Sequence, residues 1–470
     1  MPHRTQGRVF RQINSAQERL AGEAGLPFSQ LMDAATVQAA LADAKVSFRE
    51  RIYTPWATLW IFLSQVLDPT QCCLQAVVRF LAYRLAEGMD ACSSETGAYC
   101  QARKRLPEKV LKQLVRTTGK QTHQREMPDA WRWKGRPVKM ADGTTLSMPD
   151  TPANQEAYPQ PSSQKPGVGF PLLRIVVLFS LAVGTVLEMA IGQYKGKQTG
   201  EISLLRTLHD SLEPNDILLG DRIYCTYFDI ALVQERSVDV VVRLHQQRRA
   251  DFRRGRRLGR NDHLVVWTKP RRPDWMDEET YRRLPDTLTV REVRVRVNVP
   301  GFRSETIIVV TTLLDAETYS VSDLAELYRA RWHAELDLRA LKQTLKMDVL
   351  RCETPAMVRK EIWVHLLAYN LIRKVMADAA QKHGILPREI SFASALETLL
   401  AFAPYLARMS APSAAEIYYA HMLDALVRHR AGDRPDRYEP RLKKRRPKAY
   451  GYLKEPRPAA RKRCRKRRRA

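Results

Sequence analysis

Three acidic residues stand where carboxylates from separate elements could converge. Asp142 alternates with Val138 and Met140 along a predicted strand, so an acid occupies a position where a core residue is expected. Asp221 ends a second apolar strand, DILLGD, and Glu335 lies on a predicted helix. Two-metal cleavage of a phosphodiester needs such a set, one ion activating the attacking oxygen and the other stabilising the leaving oxygen. We therefore predict that Asp142, Asp221 and Glu335 are catalytic and bind two Mg²⁺ or Mn²⁺ ions, because hard oxygen ligands suit these metals.

Each acid also fits a structural role when it is taken alone. Asp142 precedes GTT and could be a turn residue, Asp221 could simply end a strand, and Glu335 could be a surface acid. The prediction therefore depends on the combination of the three acids with the elements between them.

The helix predicted from Leu324 to Lys346 carries a polar stripe. At about 100° per residue, Arg331, Glu335 and Lys342 lie within about 60° of Tyr328, and the apolar residues occupy a neighbouring arc. The helix can thus bury one side and present the stripe to a cleft. The plainer alternative is a solvated charged face.

The charge of the chain points to a polyanionic partner. Its 470 residues carry a formal net charge of +27, from 78 Lys and Arg against 51 Asp and Glu. Residues 441–470 hold 16 basic residues and one acid, which leaves +12 for the rest of the chain. Nucleic acid is the first candidate partner, whereas a membrane is not expected, since no apolar run is long enough to span one. Seven cysteines without paired CxxC spacing and an N-terminus without a signal peptide indicate a cytoplasmic protein.

The order of predicted elements indicates an α/β fold. Three strands in hairpin order, followed by helix, strand, helix and strand, are the order of a ribonuclease-H-like catalytic domain, and its last helix arrives only after a basic, β-rich stretch. We predict a catalytic domain interrupted by a β-rich insertion and flanked by helical regions. The predicted units are a helical DNA-binding domain (1–130), the first catalytic part (131–245), the insertion (246–318), the final catalytic part (319–380), a helical C-terminal region (381–440) and a disordered basic tail (441–470).

Several basic residues are candidate DNA contacts. In SSETGAYCQARKRLP, Ser93 or Ser94 can cap a short helix that carries Arg103, Lys104 and Arg105. This fits a DNA-contacting helix, although a plain bundle with a solvated basic face is equally compatible. Beside the predicted metal ligands lie further candidates, namely Arg222, Lys195 and Lys197, for which solvated charge is the alternative. Seven arginines from Arg248 to Arg260 predict a phosphate-binding loop, because they would repel one another without an anion.

The spacing of the helix stripe matches a known family. Tyr328, Arg331, Glu335 and Lys342 follow the Y(2)R(3)E(6)K signature, and the chain therefore resembles the insertion-sequence-four family of bacterial DDE transposases. The segments ADGTTLSMPDT and LLGDRIYCTYFD also resemble that family's two Asp regions. The resemblance covers about residues 70–400 and is strongest over 138–346. It implies metal binding by Asp142, Asp221 and Glu335 and DNA-phosphate contacts by Tyr328, Arg331 and Lys342. It also implies base stacking on an aromatic of the insertion, for which Trp267 and Trp275 are the candidates, although no motif aligns either one and a core position is the alternative for both.

The resemblance also implies a function. We expect a transposase that binds the terminal inverted repeats of its element, cleaves double-stranded DNA and transfers the 3′ end to target DNA, with a hairpin intermediate and a homodimer in the DNA complex. The alternatives are a catalytically silent DNA-binding protein derived from such an enzyme and a basic structural or RNA-binding protein. Metal dependence of DNA cleavage distinguishes the three.

Overall fold

A single large mixed sheet with helices on both faces organises this chain. The structure, a computed structural model, describes residues 32, 34–48, 51–124, 128–296, 306–406, 409, 411–431 and 451–467. The fold class is therefore α/β, as predicted. Predictions for residues 1–31, 432–450 and 468–470 lie outside the described residues.

In the described part of the chain, five α-helices precede the sheet. They are α1 (Ala34–Asp43), α2 (Pro55–Leu67), α3 (Cys73–Ala86), α4 (Gly97–Arg105) and α5 (Glu108–Gln124). Helix α2 begins as its sequence predicts: Thr54 caps the N–H of Ala57, and Pro55 occupies the first turn, where its missing N–H costs nothing. Almost every residue of α2 is buried, so this helix is the centre of the helical region.

The described residues form a sheet of nine strands in the order β3-β2-β1-β4-β5-β9-β8-β7-β6. The first five are β1 (Val138–Ser147), β2 (Leu172–Ser180), β3 (Val186–Gln193), β4 (Ile217–Gly220) and β5 (Asp239–Arg243). Strand β2 pairs antiparallel with both β1 and β3, whereas β4 runs parallel to β1 and β5 parallel to β4. The short helices α6 (Pro152–Ala157), α7 (Glu201–Arg206) and α8 (Tyr227–Gln234) connect them.

Hydrophobic clusters cover both faces of this sheet. Met140 belongs to one cluster and its neighbour Ala141 to the other, because successive side chains of a strand point to opposite faces. The long helix α12 (Pro355–His383) packs on the same side as Met140, and α7 and α8 pack on the opposite side. Asp142 follows Met140 by two residues and therefore lies on the α12 side.

The residues predicted as an insertion form the other half of the sheet. They contain four strands, β6 (Arg256–Gly259), β7 (Asp262–Thr268), β8 (Thr287–Arg296) and β9 (Thr306–Thr311), and a short helix, α9 (Glu278–Arg283), between β7 and β8. Each of these strands pairs antiparallel with the next one along the chain. Strand β9 also pairs antiparallel with β5. These strands therefore extend the central sheet at its β5 edge.

The helix predicted from Leu324 to Lys346 is interrupted twice. Helix α10 (Val321–Ala330) begins with a Ser320–Asp323 capping box, α11 spans Trp332–Arg339, and Ala340–Thr344 form a π-turn. Around Arg331 the backbone switches to bonds between residues three apart, from Arg331 N–H to Tyr328 O and from Ala334 N–H to Arg331 O. The prediction of one uniform helix was wrong because a constant 100° per residue cannot represent these two changes of winding.

The C-terminal helices are α13 (Phe392–Leu406), α14 (Pro412–Val427) and α15 (Arg457–Arg467). The tail was predicted to be disordered, and for Arg457–Arg467 this prediction was wrong. Ala, Lys and Arg are good helix formers, which offsets the mutual repulsion of the basic side chains in a short helix. None of the helices in the described ranges is long and apolar enough to cross a membrane.

Candidate active site

Strand register places two of the predicted acids side by side. In the parallel pair β1–β4, Met140 lies opposite Leu219. Asp142 follows Met140 by two residues, and Asp221 follows Leu219 by two residues, directly after the end of β4. The same register therefore places the two aspartates side by side. Adjacent strands of a sheet are about 4.8 Å apart. The backbone N–H of Gly143 donates to Asp142 Oδ1 at 2.9 Å, and that of Arg222 donates to Asp221 Oδ1 at 2.7 Å. These bonds leave carboxylate oxygens of both residues available to a ligand.

Glu335 comes from α11 and is paired with Arg331. Arg331 Nη2 donates to Glu335 Oε1 at 2.7 Å, and the Arg331 side chain is 12% exposed against 39% for Glu335. The interrupted winding at Arg331 thus still brings the two residues together across one turn. Glu335 carries an internal counter-charge in this structure.

Lys342 is held by the strand that carries Asp142. Its ammonium donates to Thr144 Oγ1 at 3.1 Å and to the Thr145 carbonyl at 3.0 Å. These bonds fasten the π-turn to β1 just beyond Asp142. The ammonium has a third N–H group, so a contact between Lys342 and DNA phosphate, which stays a prediction, does not require these two bonds to break.

The electrostatics of the site connect all of these residues. Burial raises the pKa of Asp142 to about 6; the Gly143 N–H and Arg331 lower it, whereas the carboxylates of Glu335 and Glu201 raise it. Burial also raises the pKa of Tyr328 to about 12. Burial works to lower the pKa of Arg331, but Tyr328, Glu335 and Asp221 outweigh it and raise that pKa. Arg331 is therefore the positive charge that Asp142, Asp221 and Glu335 share.

The donor set of this site fits a hard divalent ion. In the arrangement described, no three His, Cys, Asp or Glu side chains of the described ranges lie close enough together to hold a metal. The two aspartates are nevertheless adjacent by register, and the pKa of Asp142 is raised partly because carboxylates face it. A bound cation would remove that penalty, and Asp142, Asp221 and Glu335 are the residues that would hold it.

Two further polar residues at the site were not singled out from the sequence. Glu201, the first residue of α7, lies against Gly143: a Cβ built on this glycine would be 2.6 Å from Glu201 Cδ. Tyr224 is 3% exposed, and burial is the largest cause of its raised pKa. The carboxylates of Glu201, Asp142 and Asp221 raise this pKa further. A Glu at the start of a helix and a Tyr near the end of a strand have no distinctive sequence signal, so only the tertiary structure reveals them.

Three predicted DNA contacts near the acids are on the surface. Arg222 directly follows Asp221, and Lys195 and Lys197 lie in the loop between β3 and α7; all three are exposed. Lys195 donates to Ser162 Oγ at 2.9 Å, which links its loop to the Pro-rich loop before β2. Their role in DNA binding remains a prediction, and their exposure is compatible with it.

Arg103 does not have the position that was predicted for it. It is 7% exposed, donates to Gln65 Oε1 at 3.3 Å and to Cys73 Sγ at 3.2 Å, and lies over the rings of Phe62 and Tyr99. This face of α4 packs against α2 and α3, so Arg103 is a core residue and its assignment to DNA was wrong. Lys104 and Arg105 are exposed and remain candidates.

Both tryptophans proposed for base stacking have an arginine on the ring. Trp267 is 5% exposed, Arg248 lies 3.8 Å from its ring centre, and its indole N–H donates to Glu292 at 3.3 Å. Arg206 lies 3.4 Å from the ring centre of Trp275. A base could stack on either ring only after its arginine moves. In the predicted phosphate-binding loop, the side chains of six arginines are exposed, namely Arg249, Arg253, Arg254, Arg256, Arg257 and Arg260.

Comparison with known families identifies the class to which this site belongs. Residues 133–371 match the family described as the transposase DDE domain, and this stretch is more than half of the chain. Transposase InsG for insertion sequence element IS4, from Escherichia coli K12, is 27% identical over 303 residues. The chain therefore belongs to the insertion-sequence-four family of DDE transposases.

The matches do not extend over whole relatives. The alignment with the IS4 transposase covers 63% of this chain and 64% of the relative. The putative transposase InsL for insertion sequence element IS186A, also from Escherichia coli K12, is 35% identical over 69 residues, covering 15% of this chain and 19% of that one. Among solved structures, a piggyBac transposase synaptic complex with hairpin DNA aligns at 11% identity and a TM-score of 0.40, covering 86% of this chain and 84% of that chain.

Proposed function

We propose that this chain is an active DNA transposase that binds the terminal inverted repeats of its element, cleaves DNA by metal-dependent phosphodiester hydrolysis and transfers the 3′ end to target DNA. The observation that supports this proposal best is the register that makes Asp142 and Asp221 neighbours, with the Arg331–Glu335 pair acting on both. Family membership supports the substrate class.

We further propose that the catalytic unit is ribonuclease-H-like. The sheet order β3-β2-β1-β4-β5, with β4 parallel to β1 and three antiparallel strands before it, supports this assignment. Residues 246–318 are then the insertion between β5 and α10, and the helices of residues 34–124 contact the transposon-end DNA. The family resemblance suggests a hairpin intermediate and a homodimer in the DNA complex.

The residues of the chain have distinct roles in the proposed reaction. When two Mg²⁺ or Mn²⁺ ions are bound, one would activate the attacking oxygen and the other would stabilise the leaving oxygen. Asp142, Asp221 and Glu335 would hold them. Arg331 neutralises Glu335 and keeps further N–H groups for a phosphate oxygen, which suits a planar guanidinium with five donors. Lys342 adds a positive charge beside β1, and the buried Tyr328 orients Arg331 from α10.

A cleavage assay tests this function. Labelled duplexes that carry the inverted repeats flanking the gene are incubated with the full chain and Mg²⁺ or Mn²⁺, or with EDTA. We expect cleavage with metal only, and its loss in Glu335→Gln, whereas Glu326→Gln changes an exposed acid of α10 and should retain activity. Equal cleavage by wild type and Glu335→Gln would remove Glu335 from the mechanism. Tight DNA binding without cleavage at any metal concentration would favour the catalytically silent alternative.

A further inference from the structure

Tyr224 has a buried hydroxyl that lacks a partner. The residue is 3% exposed, and no hydrogen bond to its Oη exists within the part of the chain that the structure describes. Its ring lies on Gly220, the residue before Asp221: a Cβ on this glycine would be 2.7 Å from Tyr224 Cδ2. The packing therefore holds the phenol directly behind Asp221. Buried polar groups without partners are rare and cost free energy, so this one calls for an explanation.

Glu201 occupies the equivalent position behind Asp142. Its carboxyl carbon would be 2.6 Å from a Cβ on Gly143, the residue after Asp142, and its Oε1 would be 3.0 Å away. Both aspartates thus have a glycine beside them on the strand, and each glycine leaves room for a polar side chain on the opposite face of the sheet. Alanine at either position would collide with that side chain.

Glu201 is also poorly neutralised. Its ion-pair partner among the described residues is Arg174, whose Nε lies 3.9 Å from Glu201 Oε1, at the outer limit of an ion pair. The Glu201 side chain is 30% exposed, so solvent reaches the carboxylate only in part. A carboxylate without a close cation, next to two further acids, favours the arrival of a positive ligand.

We propose that Glu201 and Tyr224 belong to the divalent-ion site: Glu201 supplies a fourth carboxylate, and Tyr224 supplies a hydroxyl whose partner arrives with the ion or its water. This inference rests on the metal-dependent function proposed above. Glu201 and Tyr224 approach the site from the face of the sheet on which α7 packs. The other three acids lie at the strand ends or on the face on which α12 packs. Glu201 and Tyr224 would determine the affinity for the ion, and they would also hold Asp142 and Asp221 in position.

Ion binding without DNA is the direct test. The affinity of the full chain for Mn²⁺ is measured by calorimetry or electron paramagnetic resonance for wild type, Glu201→Gln, Tyr224→Phe and Glu335→Gln, and thermal stability is measured in EDTA. Glu213→Gln is the acid control, because Glu213 pairs with Lys120 away from the site. Tyr227→Phe is the phenol control, because Tyr227 is equally buried and its hydroxyl donates to the Pro285 carbonyl at 2.5 Å.

We expect Glu201→Gln to weaken Mn²⁺ binding about tenfold and Tyr224→Phe several-fold, as is typical for residues that support a metal site. Tyr224→Phe should leave the melting temperature in EDTA unchanged or higher, whereas Tyr227→Phe should lower it without changing Mn²⁺ affinity. Wild-type affinity in both Glu201→Gln and Tyr224→Phe would overturn the inference, as would a loss of stability in Tyr224→Phe equal to that in Tyr227→Phe.

The same measurements separate the inference from the function on which it rests. If Glu335→Gln weakens Mn²⁺ binding and Glu201→Gln does not, the inference fails and the proposed function stands. If wild type binds no Mn²⁺, both fail.

Discussion

Arg331 and Glu335 form an ion pair inside the candidate active site, with Nη2 and Oε1 2.7 Å apart. The guanidinium is mostly buried, and its charge also acts on Asp142 and Asp221. One arginine thus compensates three acids. This relationship links the two halves of the proposed chemistry, because the residue expected to contact DNA phosphate also neutralises a residue expected to hold an ion.

The first prediction concerns competition between Arg331 and a metal ion. Replacing Arg331 by Gln removes a cation that competes for Glu335, so Mn²⁺ should bind the DNA-free chain more tightly. A part-exposed ion pair contributes about 0.2–1 kcal/mol, which corresponds to a gain of up to about fivefold. The matched control is Arg329→Gln, which changes an exposed arginine in the last turn of α10, two residues before Arg331. Weaker Mn²⁺ binding by Arg331→Gln would mean that the guanidinium organises the acids for the ion.

The second prediction concerns the pH dependence of stability. The pKa of Asp142 rises from 3.8 to about 6 on folding, chiefly through burial, so the folded chain holds this proton more tightly than the unfolded chain. The resulting stabilisation is complete below pH 3.8 and is lost as the pH rises through about 6. Asp142→Asn removes the cost of ionisation at high pH and should be more stable than wild type at pH 8, by at most about 3 kcal/mol.

Denaturant unfolding of both proteins in EDTA between pH 4 and 8 measures this difference. The buried histidines whose pKa is lowered, such as His123, titrate equally in both proteins, so their contribution cancels. A difference that does not change with pH would show that the folded carboxyl titrates at its ordinary value.

The third prediction separates two neighbouring basic residues of α4. Arg103→Ala removes a buried side chain that packs against Phe62 and Tyr99, and it should lower the free energy of unfolding by about 2–4 kcal/mol. Lys104→Ala should change stability by less than about 0.5 kcal/mol but weaken DNA binding and reduce the salt dependence by about one phosphate contact.

Denaturant unfolding and DNA titrations at several salt concentrations test both variants. Unchanged DNA affinity and salt dependence in Lys104→Ala would place the DNA contact of the helical region elsewhere than at α4.

Local pattern was sufficient to predict the elements that hold the two aspartates. The alternation of Val138, Met140 and Asp142 and the apolar run before Asp221 are properties of single strands, and the structure has both strands. Their parallel pairing requires a crossover connection, and the segment between them, which contains β2, β3 and α7, is long enough to provide one. The family signature on α10 and α11 led to Glu335 for a different reason, the identity and spacing of four residues.

The remaining features depend on contacts between distant residues. The change of winding at Arg331 and the π-turn have no signal in hydrophobic periodicity, which assumes a constant rotation per residue. Arg103 looks like any residue of a basic surface helix until α2 and α3 cover it. Glu201 approaches Asp142 only because Gly143 has no side chain, and such a close approach becomes visible only when the sheet and α7 are packed together.

The fourth prediction concerns Asp337, which anchors the helix that carries Glu335. Asp337 is fully buried; Arg388 Nη1 donates to its two carboxylate oxygens at 2.7 and 2.8 Å, and Arg373 donates to Oδ1. Arg388 also donates to the Ser180 carbonyl at 2.7 Å, so α11 is tied through this network to the end of β2. Asp337→Asn preserves the shape of the side chain but leaves two buried guanidinium groups without a negative partner. The free energy of unfolding should fall by about 3–5 kcal/mol.

Cleavage should also fall in Asp337→Asn at temperatures far below its melting point, because α11 loses its anchor two residues from Glu335, and a displacement of a catalytic group by about 1 Å can reduce the rate about a hundredfold. The exposed Asp348→Asn lies beyond the π-turn and should change neither quantity. Unfolding curves and single-turnover cleavage rates of the three proteins test the prediction. Wild-type cleavage rates in a destabilised Asp337→Asn would mean that the π-turn and the Lys342 bonds to β1 are sufficient to hold Glu335 in place.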